Sequence, residues 1–203
     1  MNEWKRKRSI MRRYDLTAHI YDIRYAEEQA AKIKAALEKL TIEKSAFVLD
    51  VGCGTGILFD YVAEKVETVI GLDISRKILL QARKRAKNFQ NVHLILADAD
   101  NIPLREKIFT HVFGITLLQN MPNPARTLKE IKRVTRDGAY IIVTGLKKVF
   151  SLQTFENLLQ NAGLKIVSLK EKDLKCYVAI CLKFPRNCCV SANSYVEKFS
   201  VEL

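Results

Sequence analysis

The segment that decides the fold is Phe47-Val48-Leu49-Asp50-Val51-Gly52-Cys53-Gly54-Thr55-Gly56-Ile57. It joins a short apolar run to a glycine-rich turn, after which apolar residues recur at helical spacing as far as Val62. A strand that passes through such a turn into a helix is typical of an open α/β sheet, in which the helix N-terminus offers free N–H groups to a ligand. Gly52 and Gly54 allow the backbone to turn tightly and to approach that ligand closely.

The glycine spacing and one acid distinguish between two kinds of ligand. A dinucleotide fingerprint is G-x-G-x-x-G, whereas the glycines here are at 52, 54 and 56, and Ile57 occupies the last fingerprint position. Asp50 precedes the turn, where its carboxylate would repel a pyrophosphate but could hold an ammonium group. The loop therefore favours a nucleoside that carries an amino acid over a dinucleotide.

Outward from this segment, short apolar strands alternate with amphipathic helices. Strands are predicted at 46–51, 68–73, 92–97, 110–117, 139–144, 165–169 and 176–184, and helices at 26–40, 57–62, 75–88, 125–136 and 151–161. This alternation predicts an α/β fold with a seven-stranded, mostly parallel sheet and helices on both faces. The last two strands are too close in sequence for a crossover, so they should form a C-terminal antiparallel hairpin.

Length and composition limit the class of protein. The chain has 203 residues, of which 48% are hydrophobic, and this suits one domain with a real core. No apolar run approaches the ~20 residues of a membrane span, and no signal-peptide pattern follows the basic N-terminus. Five cysteines without metal-ligand spacing predict no disulfide framework, no metal site and a cytoplasmic protein.

Two further acids follow strands where a nucleoside would lie. Asp73 ends the second predicted strand, and a carboxylate there can accept hydrogen bonds from both hydroxyls of a ribose. Asp98 follows the third strand and can accept from an adenine amino group, with Ile74 and Ile102 as apolar walls for the ring. The two acids and the glycine loop together predict a nucleoside site at one edge of the sheet.

With these residues the sequence resembles the class I S-adenosylmethionine-dependent methyltransferases of the methyltransferase type 11 group, over about residues 14–184. The resemblance implies a Rossmann-like fold and S-adenosylmethionine as the cofactor. It also implies that the DxGxGxG residues hold the methionine part, the second acid the ribose and the third acid the adenine. The implied cofactor-binding residues are Asp50, Gly52, Gly54, Gly56, Asp73, Ile74, Asp98, Ala99 and Leu118.

The residues after the fourth predicted strand are candidates for contact with the methyl acceptor. Methyl transfer from a sulfonium releases a neutral leaving group, so catalysis depends mainly on alignment and exclusion of water. The segment 120–123 (NMPN) partly resembles the Asn/Asp-Pro-Pro-aromatic motif of enzymes that methylate base amino groups, although an ordinary turn and helix N-cap is the alternative. The predicted catalytic residues are Asn120, Gln119 and, from an aromatic stretch nearer the N-terminus, Tyr21.

The net charge of +12 indicates a polyanionic partner. Residues 1–13 are interpreted as a flexible or partner-ordered basic arm, followed by a methyltransferase domain at 14–184 and a tail at 185–203. Basic clusters near Arg76 and Arg126 lie on helices that this topology places on opposite faces of the sheet, so they should not form one patch. The predicted substrate-binding residues are Tyr14, Tyr25, Lys5, Arg6, Lys7, Arg8, Arg12 and Arg13.

The function favoured by these patterns is methylation of RNA (rRNA or tRNA) at a base amino nitrogen such as cytidine N4. Methylation of a small molecule is the alternative that the type 11 resemblance suggests. A protein methyltransferase or a cofactor-binding module without catalysis is a third alternative, and packing of an amphipathic helix is the other explanation for the tyrosines. RNA specificity would come from the catalytic domain, the arm or a partner protein.

Overall fold

The computed structural model of this protein describes residues 2–184, so the predicted tail at 185–203 lies outside the described residues. The helices are α1 (Glu3–Thr17), α2 (Tyr21–Leu37), α3 (Phe59–Val62), α4 (Arg76–Ala86), α5 (Pro124–Val134) and α6 (Leu152–Asn161). The strands are β1 (Phe47–Val51), β2 (Thr68–Asp73), β3 (Val92–Leu96), β4 (Phe109–Gly114), β5 (Thr135–Leu146), β6 (Leu164–Lys170) and β7 (Cys176–Lys183). Short 3-10 turns lie at Ala18–Ile20, Ala63–Lys65 and Leu118–Asn120.

The strands form one sheet in the order β3-β2-β1-β4-β5-β7-β6. Strands β1 to β5 are parallel, and β7 lies antiparallel between β5 and β6. The predicted fold class and the predicted C-terminal hairpin are confirmed. Because parallel strands end at the same edge of a sheet, the loops that follow β1, β2, β3 and β4 come together there.

Two apolar cores cover the two faces of the sheet. Alternation along β1 sends Val48 into one core and Leu49 into the other, as the two-residue period of a strand requires. Helices α2, α3 and α4 pack on the first face, and α5 and α6 pack on the second. The predicted placement of α4 and α5 on opposite faces is confirmed.

Strand β5 is longer than predicted. The sequence predicts a helix as far as residue 136, stopped by Gly138, and a strand that begins at 139. In the structure α5 ends at Val134, and the Thr135 hydroxyl donates to the Ile131 carbonyl at 2.7 Å, which closes the last helical turn. Gly138 lies inside β5 with φ of +77°, so this glycine serves a bend in the strand rather than the end of the helix.

The N-terminal region differs most from the expectation. The predicted flexible arm is the larger part of α1, a continuous helix that extends to Thr17 and crosses the predicted domain boundary at 13/14. Asn2 caps this helix by accepting from the Trp4 N–H at 3.0 Å. Lys7, Ile10 and Tyr14 recur at i, i+3 and i+7, so they share one helix face. Because basic residues lie between them, the sequence indicates a charge run and not this helix face.

Helix α1 crosses the carboxyl edge of the sheet from α5 to α4. Near its start, Glu3 Oε2 lies 3.8 Å from an Arg126 guanidinium nitrogen of α5. Near its end, Asp15 Oδ1 accepts from the Ser75 hydroxyl at 2.5 Å and from the Lys77 N–H at 3.3 Å, where α4 begins. The helix therefore forms a roof over the loops that follow the parallel strands.

Candidate functional site

A pocket of about 700 Å³ lies beneath α1 at the carboxyl edge of the sheet. A smaller space of about 350 Å³ adjoins it at the glycine loop. The predicted site residues that line one or both spaces are Lys7, Tyr14, Tyr21, Asp50, Gly52, Gly54, Asp73, Ile74, Asp98, Ala99 and Asn120.

Two glycines in the loop after β1 differ in their surroundings: Gly54 borders open space, and Gly56 packs tightly against a side chain. A Cβ atom at Gly54 would meet no atom within 4 Å, so its bare backbone borders open space. A Cβ atom at Gly56, where φ is +79°, would overlap the Phe59 ring. Gly56 does not line the pocket, and the structure gives it a packing role in place of the predicted contact with cofactor.

Asp73 joins the end of β2 to the glycine loop. Its Oδ2 accepts from the Gly54 N–H at 3.0 Å, and its Oδ1 accepts from the Ser75 N–H at 2.9 Å. Burial raises the pKa of this carboxyl, while the two N–H bonds act to lower it. Each carboxylate oxygen has a second lone pair, so the residue fits the two hydroxyls of a ribose.

Asp50 lies in the smaller space and is 3% exposed. Burial raises the pKa of its carboxyl to about 8, and the charge of nearby Asp73 adds to the rise. Within the described part of the chain, the Asp50 carboxyl has no hydrogen-bond or ion-pair partner. A buried carboxyl of this kind fits the ammonium of an amino acid, because that charge would compensate for the lost hydration.

Asp98 forms an ion pair with Lys7, which the sequence predicts to be a substrate-binding residue. Lys7 Nζ lies 2.8 and 2.7 Å from the two Asp98 oxygens and 2.5 Å from Asp100 Oδ2. Lys7 is 8% exposed, so its expected place on an outer substrate-binding surface is corrected to the interior of the pocket. The physical reason is the helical spacing of α1, which turns Lys7 inward together with Ile10 and Tyr14.

Other predicted site residues also lie outside the pocket lining: Leu118, Gln119 and Tyr25, and the basic residues Lys5, Arg6, Arg8, Arg12 and Arg13. Leu118 is fully buried in the core, and its neighbour Leu117 lines the pocket in its place, because the chain enters a 3-10 turn here instead of continuing β4. Gln119 is also turned away, and its Oε1 is buried without a hydrogen-bond partner among the described residues. Tyr25 is 40% exposed and packs against Tyr21 in a tilted arrangement, with ring centroids 5.1 Å apart and the ring planes at 51°.

Asn120 lies where the end of β4 meets the roof helix. Its Nδ2 donates to the Tyr14 hydroxyl at 3.0 Å and to the Thr116 carbonyl at 2.8 Å. Its Oδ1 accepts from the Arg13 guanidinium at 3.1 Å. Burial raises the pKa of Tyr14 and of Tyr21, so both phenols stay protonated near neutral pH. Tyr21 lines both spaces of the site, and its predicted catalytic role stays a prediction.

Sequence reasoning missed several pocket residues. Ile10 could have been found from its spacing with Lys7 and Tyr14, whereas the place of Thr116 depends on the path of the chain after β4, which no local pattern specifies. For Arg85 the sequence indicates only a charge on the surface of a helix. Its guanidinium donates to the Thr55 carbonyl at 2.6 Å and pairs with Asp22 at 3.1 Å and Asp60 at 2.9 Å. It therefore ties the glycine loop to α2 and α3.

Exposed basic residues surround the roof of the pocket. We call this surface the basic rim: Lys5, Arg6, Arg8 and Arg12 on α1, Arg76 and Lys77 at the start of α4, and Arg126 at the start of α5. Helix α1 contacts the start of α5 through Glu3 and the start of α4 through Asp15, although α4 and α5 lie on opposite faces of the sheet. The expectation that the clusters on α4 and α5 do not form one patch stays a prediction, because the basic rim includes only the first basic residues of each helix.

Residues 2–184 contain neither a metal-binding cluster nor a membrane-spanning helix. No group of three or more His, Cys, Asp or Glu side chains there is arranged to hold a metal ion. No helix in the same range is long and apolar enough to cross a bilayer. Cys53, Cys176 and Cys181 are buried free thiols.

Comparison with known sequences identifies a domain. Residues 49–143 match the family model described as a methyltransferase domain. The malonyl-[acyl-carrier protein] O-methyltransferase of Marinomonas sp. (strain MWYL1) is 31% identical over 144 residues, which are 70% of this chain and 53% of that protein. The chain spans roughly half to two thirds of the length of such curated relatives.

Two solved structures share the fold. A putative S-adenosyl-L-methionine-dependent methyltransferase from Methanococcus maripaludis has a TM-score of 0.73 and 16% identity, over 88% of this chain and 95% of that one. A complex between the Haloferax volcanii Trm112 methyltransferase activator and a putative methyltransferase contains a chain with a TM-score of 0.76 and 16% identity, over 85% and 98% of the two chains. At these identities the likeness shows the fold alone.

Proposed function

Because residues 49–143 form a methyltransferase domain of the family that the sequence resembles, with S-adenosylmethionine as the cofactor that this family and fold imply, we propose that the protein transfers a methyl group from that cofactor to RNA. The observation that carries the cofactor part is the lining of the two adjoining spaces by Asp50, which is buried and has no partner among residues 2–184, by the open backbone at Gly54 and by the carboxylate of Asp73. These three groups match an ammonium, a close backbone approach and a ribose.

The roles of the residues follow from their positions. Asp50 would hold the ammonium and Asp73 the ribose, while Asp98, Ile74 and Ala99 would surround the adenine. S-adenosylmethionine supplies an electrophilic methyl group on a sulfonium. The residues of this chain need only align the acceptor and exclude water, since no proton has to reach the leaving group. Asn120 is the group proposed to meet the acceptor.

Calorimetry with S-adenosylhomocysteine tests the cofactor site. Asp73→Asn should reduce the affinity at least tenfold, because an amide cannot accept from the Gly54 and Ser75 N–H groups and from the ribose as a carboxylate does. Asp173→Asn, in an exposed turn, is the matched control and should leave the affinity unchanged. Equal affinities for Asp73→Asn and the unaltered protein would remove the basis of the assignment.

The basic rim supports RNA as the acceptor. Its side chains surround the roof of the pocket, and Asn120 Oδ1 offers a hydrogen-bond acceptor beside it, which suits an exocyclic amino group such as cytidine N4. Phosphate contacts release counterions, so binding should weaken steeply as salt concentration rises. The acceptor would dock on the outer face of α1, while the inner face closes the cofactor site.

The test of RNA binding uses substitutions, because deletion of residues 1–13 would also remove Lys7 and Ile10 from the pocket. Glutamine at Lys5, Arg6, Arg8 and Arg12 should weaken binding to total RNA and flatten its salt dependence. The logarithmic slope should fall by roughly 0.7 for each phosphate of a single strand that the variant no longer neutralises. Affinity for S-adenosylhomocysteine should not change. A control with glutamine at Lys39, Lys44, Lys65 and Lys87, all exposed and away from the roof, should bind RNA normally.

A small-molecule acceptor is the second candidate. The observation that favours it is the apolar cover of the pocket by Ile10, Leu117 and Met121, together with the activity named for the Marinomonas relative. Mass spectrometry of nucleosides from total RNA, with and without the gene, separates the two. Loss of a methylated nucleoside supports RNA, whereas an unchanged profile supports the small molecule.

A partner protein and a cytoplasmic location belong to the same proposal. The structural neighbour that forms a complex with the Trm112 activator supports a partner. The three buried free thiols support a reducing compartment. Purification of the tagged protein from its host under mild conditions, followed by mass spectrometry, tests for a stoichiometric partner.

A further inference from the structure

Thr116 has a backbone conformation that its side chain disfavours. Its φ is +61°, in the left-handed region that β-branched residues rarely adopt, and it lies just after β4 in the lining of the pocket. Such strain persists only when the surroundings impose it, and it is common at functional sites.

Four hydrogen bonds hold Thr116 in place, two of them from α2 and one each from β5 and the 3-10 turn after β4. Its N–H donates to Thr144 Oγ1 at 2.7 Å, and its carbonyl accepts from Asn120 Nδ2 at 2.8 Å. On α2, the Thr116 hydroxyl donates to Gln29 Oε1 at 2.9 Å and accepts from Lys32 Nζ at 3.0 Å. Every polar group of Thr116 is therefore engaged.

Lys32 is the unusual member of this network. It is 2% exposed, although Lys side chains are almost never fully buried unless they are paired. Its ammonium also donates to Glu28 Oε1 at 2.7 Å, which is a partly exposed acid on the same helix. Nothing in the proposed cofactor contacts requires this buried charge, so its use at the end of β4 needs another explanation.

The network determines how Asn120 presents its amide. The Thr116 carbonyl and the Tyr14 hydroxyl occupy both hydrogens of Nδ2, so the amide nitrogen faces them and Oδ1 points away from them, toward Arg13. Only Arg13, which is exposed, reaches Oδ1 there among the described residues. An amide oxygen has two lone pairs and can accept a second hydrogen bond.

We propose that Lys32 and Thr116 are positioning residues that fix Asn120 Oδ1 as a hydrogen-bond acceptor for an N–H or O–H of the methyl acceptor. The inference rests on the proposed function and narrows its substrate class. The site then selects a nucleophile that carries a hydrogen-bond donor, such as an amine, and not a carbon nucleophile. Lys32 acts through Thr116 and need not touch the substrate.

The test compares two ligands that require no identified acceptor. S-adenosylhomocysteine has no group at the position of the transferred methyl, whereas sinefungin has an amine there. If Asn120 Oδ1 faces this position, sinefungin should bind the unaltered protein about tenfold more tightly than S-adenosylhomocysteine, as expected for a hydrogen bond to a charged group. A ratio near one in the unaltered protein overturns the inference.

The variants separate positioning from simple support of the fold. Asn120→Ala, Lys32→Met and Thr116→Val should lose the preference for sinefungin, while affinity for S-adenosylhomocysteine stays within about twofold. Thr116→Ser retains the hydroxyl and should keep the preference. Thr116→Gly adopts a positive φ without strain and loses the hydroxyl, so it should lose the preference even if Thr116→Val fails to fold.

The results distinguish failure of this inference from failure of the proposed function. If neither ligand binds the unaltered protein, the cofactor assignment fails and the inference falls with it. If both bind and Lys32→Met and Thr116→Gly keep the tenfold ratio, the positioning role is wrong while the proposed function stands. If these variants weaken both ligands equally, the network is structural, and the inference is again overturned.

Discussion

Lys7 Nζ lies 2.7 Å from Asp98 Oδ2, which joins the roof helix to the acid at the proposed adenine end of the pocket. The same ammonium lies 2.5 Å from Asp100, whose side chain is inaccessible to solvent. Two neighbouring carboxylates therefore depend on one cation from a different part of the chain. Removal of that cation would leave two negative charges close together in a buried site.

Lys7→Met should destabilise the protein by about 3 kcal/mol, because it leaves a buried acid without its charge partner. It should also increase hydrogen exchange along α1, since the inner face of the helix loses its polar anchor. Lys5→Met, on the exposed side of the same helix, is the control and should change stability by less than ~0.5 kcal/mol. Urea denaturation and exchange mass spectrometry measure both effects, and equal behaviour of the two variants would contradict the prediction.

Asp50→Asn should change how stability depends on pH. The folded-state pKa of Asp50 is raised to about 8, above the ~3.9 of an unfolded chain. Between these values the folded protein binds more protons than the unfolded one, so the contribution of this group falls as pH rises from about 4 to about 8. The amide does not titrate. The stability of the variant relative to that of the unaltered protein should therefore rise over this interval and stay constant above it.

Denaturation of both proteins between about pH 5 and about pH 9 measures this difference. S-adenosylhomocysteine provides a second check, because its ammonium should favour the ionised Asp50 and reduce the pH dependence of the unaltered protein. A stability difference that stays constant with pH would show that Asp50 is ionised throughout.

Gly56→Ala should destabilise the protein more than Gly138→Ala. Both glycines have a positive φ, +79° and +77°, so both substitutions carry a backbone strain of roughly 1–2 kcal/mol. A Cβ atom at 56 would also overlap the Phe59 ring, whereas one at 138 meets nothing within 4 Å. We expect an additional ~1–3 kcal/mol for Gly56→Ala from overpacking. Chemical denaturation gives the comparison, and equal losses would mean that Phe59 moves aside freely.

Arg85→Met should loosen the glycine loop. The guanidinium holds the Thr55 carbonyl and two partly exposed acids, Asp22 and Asp60, so the loss of stability should be only about 1 kcal/mol. Affinity for S-adenosylhomocysteine should fall several-fold, because the loop that borders the cofactor site loses its outer anchor. Arg83→Met, exposed on the same helix, is the control and should alter neither property.

Local patterns made much of this molecule predictable. The glycine loop, Asp50, Asp73 and the strand alternation are encoded within short segments, because each strand and the turn after it are set by neighbouring residues. The parallel character of the sheet and its antiparallel end followed from general rules of strand connection.

The errors have a common origin in contacts between distant segments. The sequence predicts an exposed charge at Lys7, because its partners, Asp98 and Asp100, lie far away in the sequence. Leu117 lines the pocket where the sequence predicts Leu118, because the chain forms one 3-10 turn after β4 and no local pattern specifies the geometry of that turn. The burial of Lys32 could not be predicted from the sequence for the same reason, because it depends on contacts with a distant segment.

The position of α1 has a kinetic consequence. One face of this helix closes the cofactor pocket, and under the proposed function the other face receives the acceptor. The cofactor must then enter before the acceptor docks, and the demethylated cofactor must leave after the methylated product has departed. Turnover would follow a compulsory order, in which product inhibition patterns identify S-adenosylmethionine as the first substrate to bind.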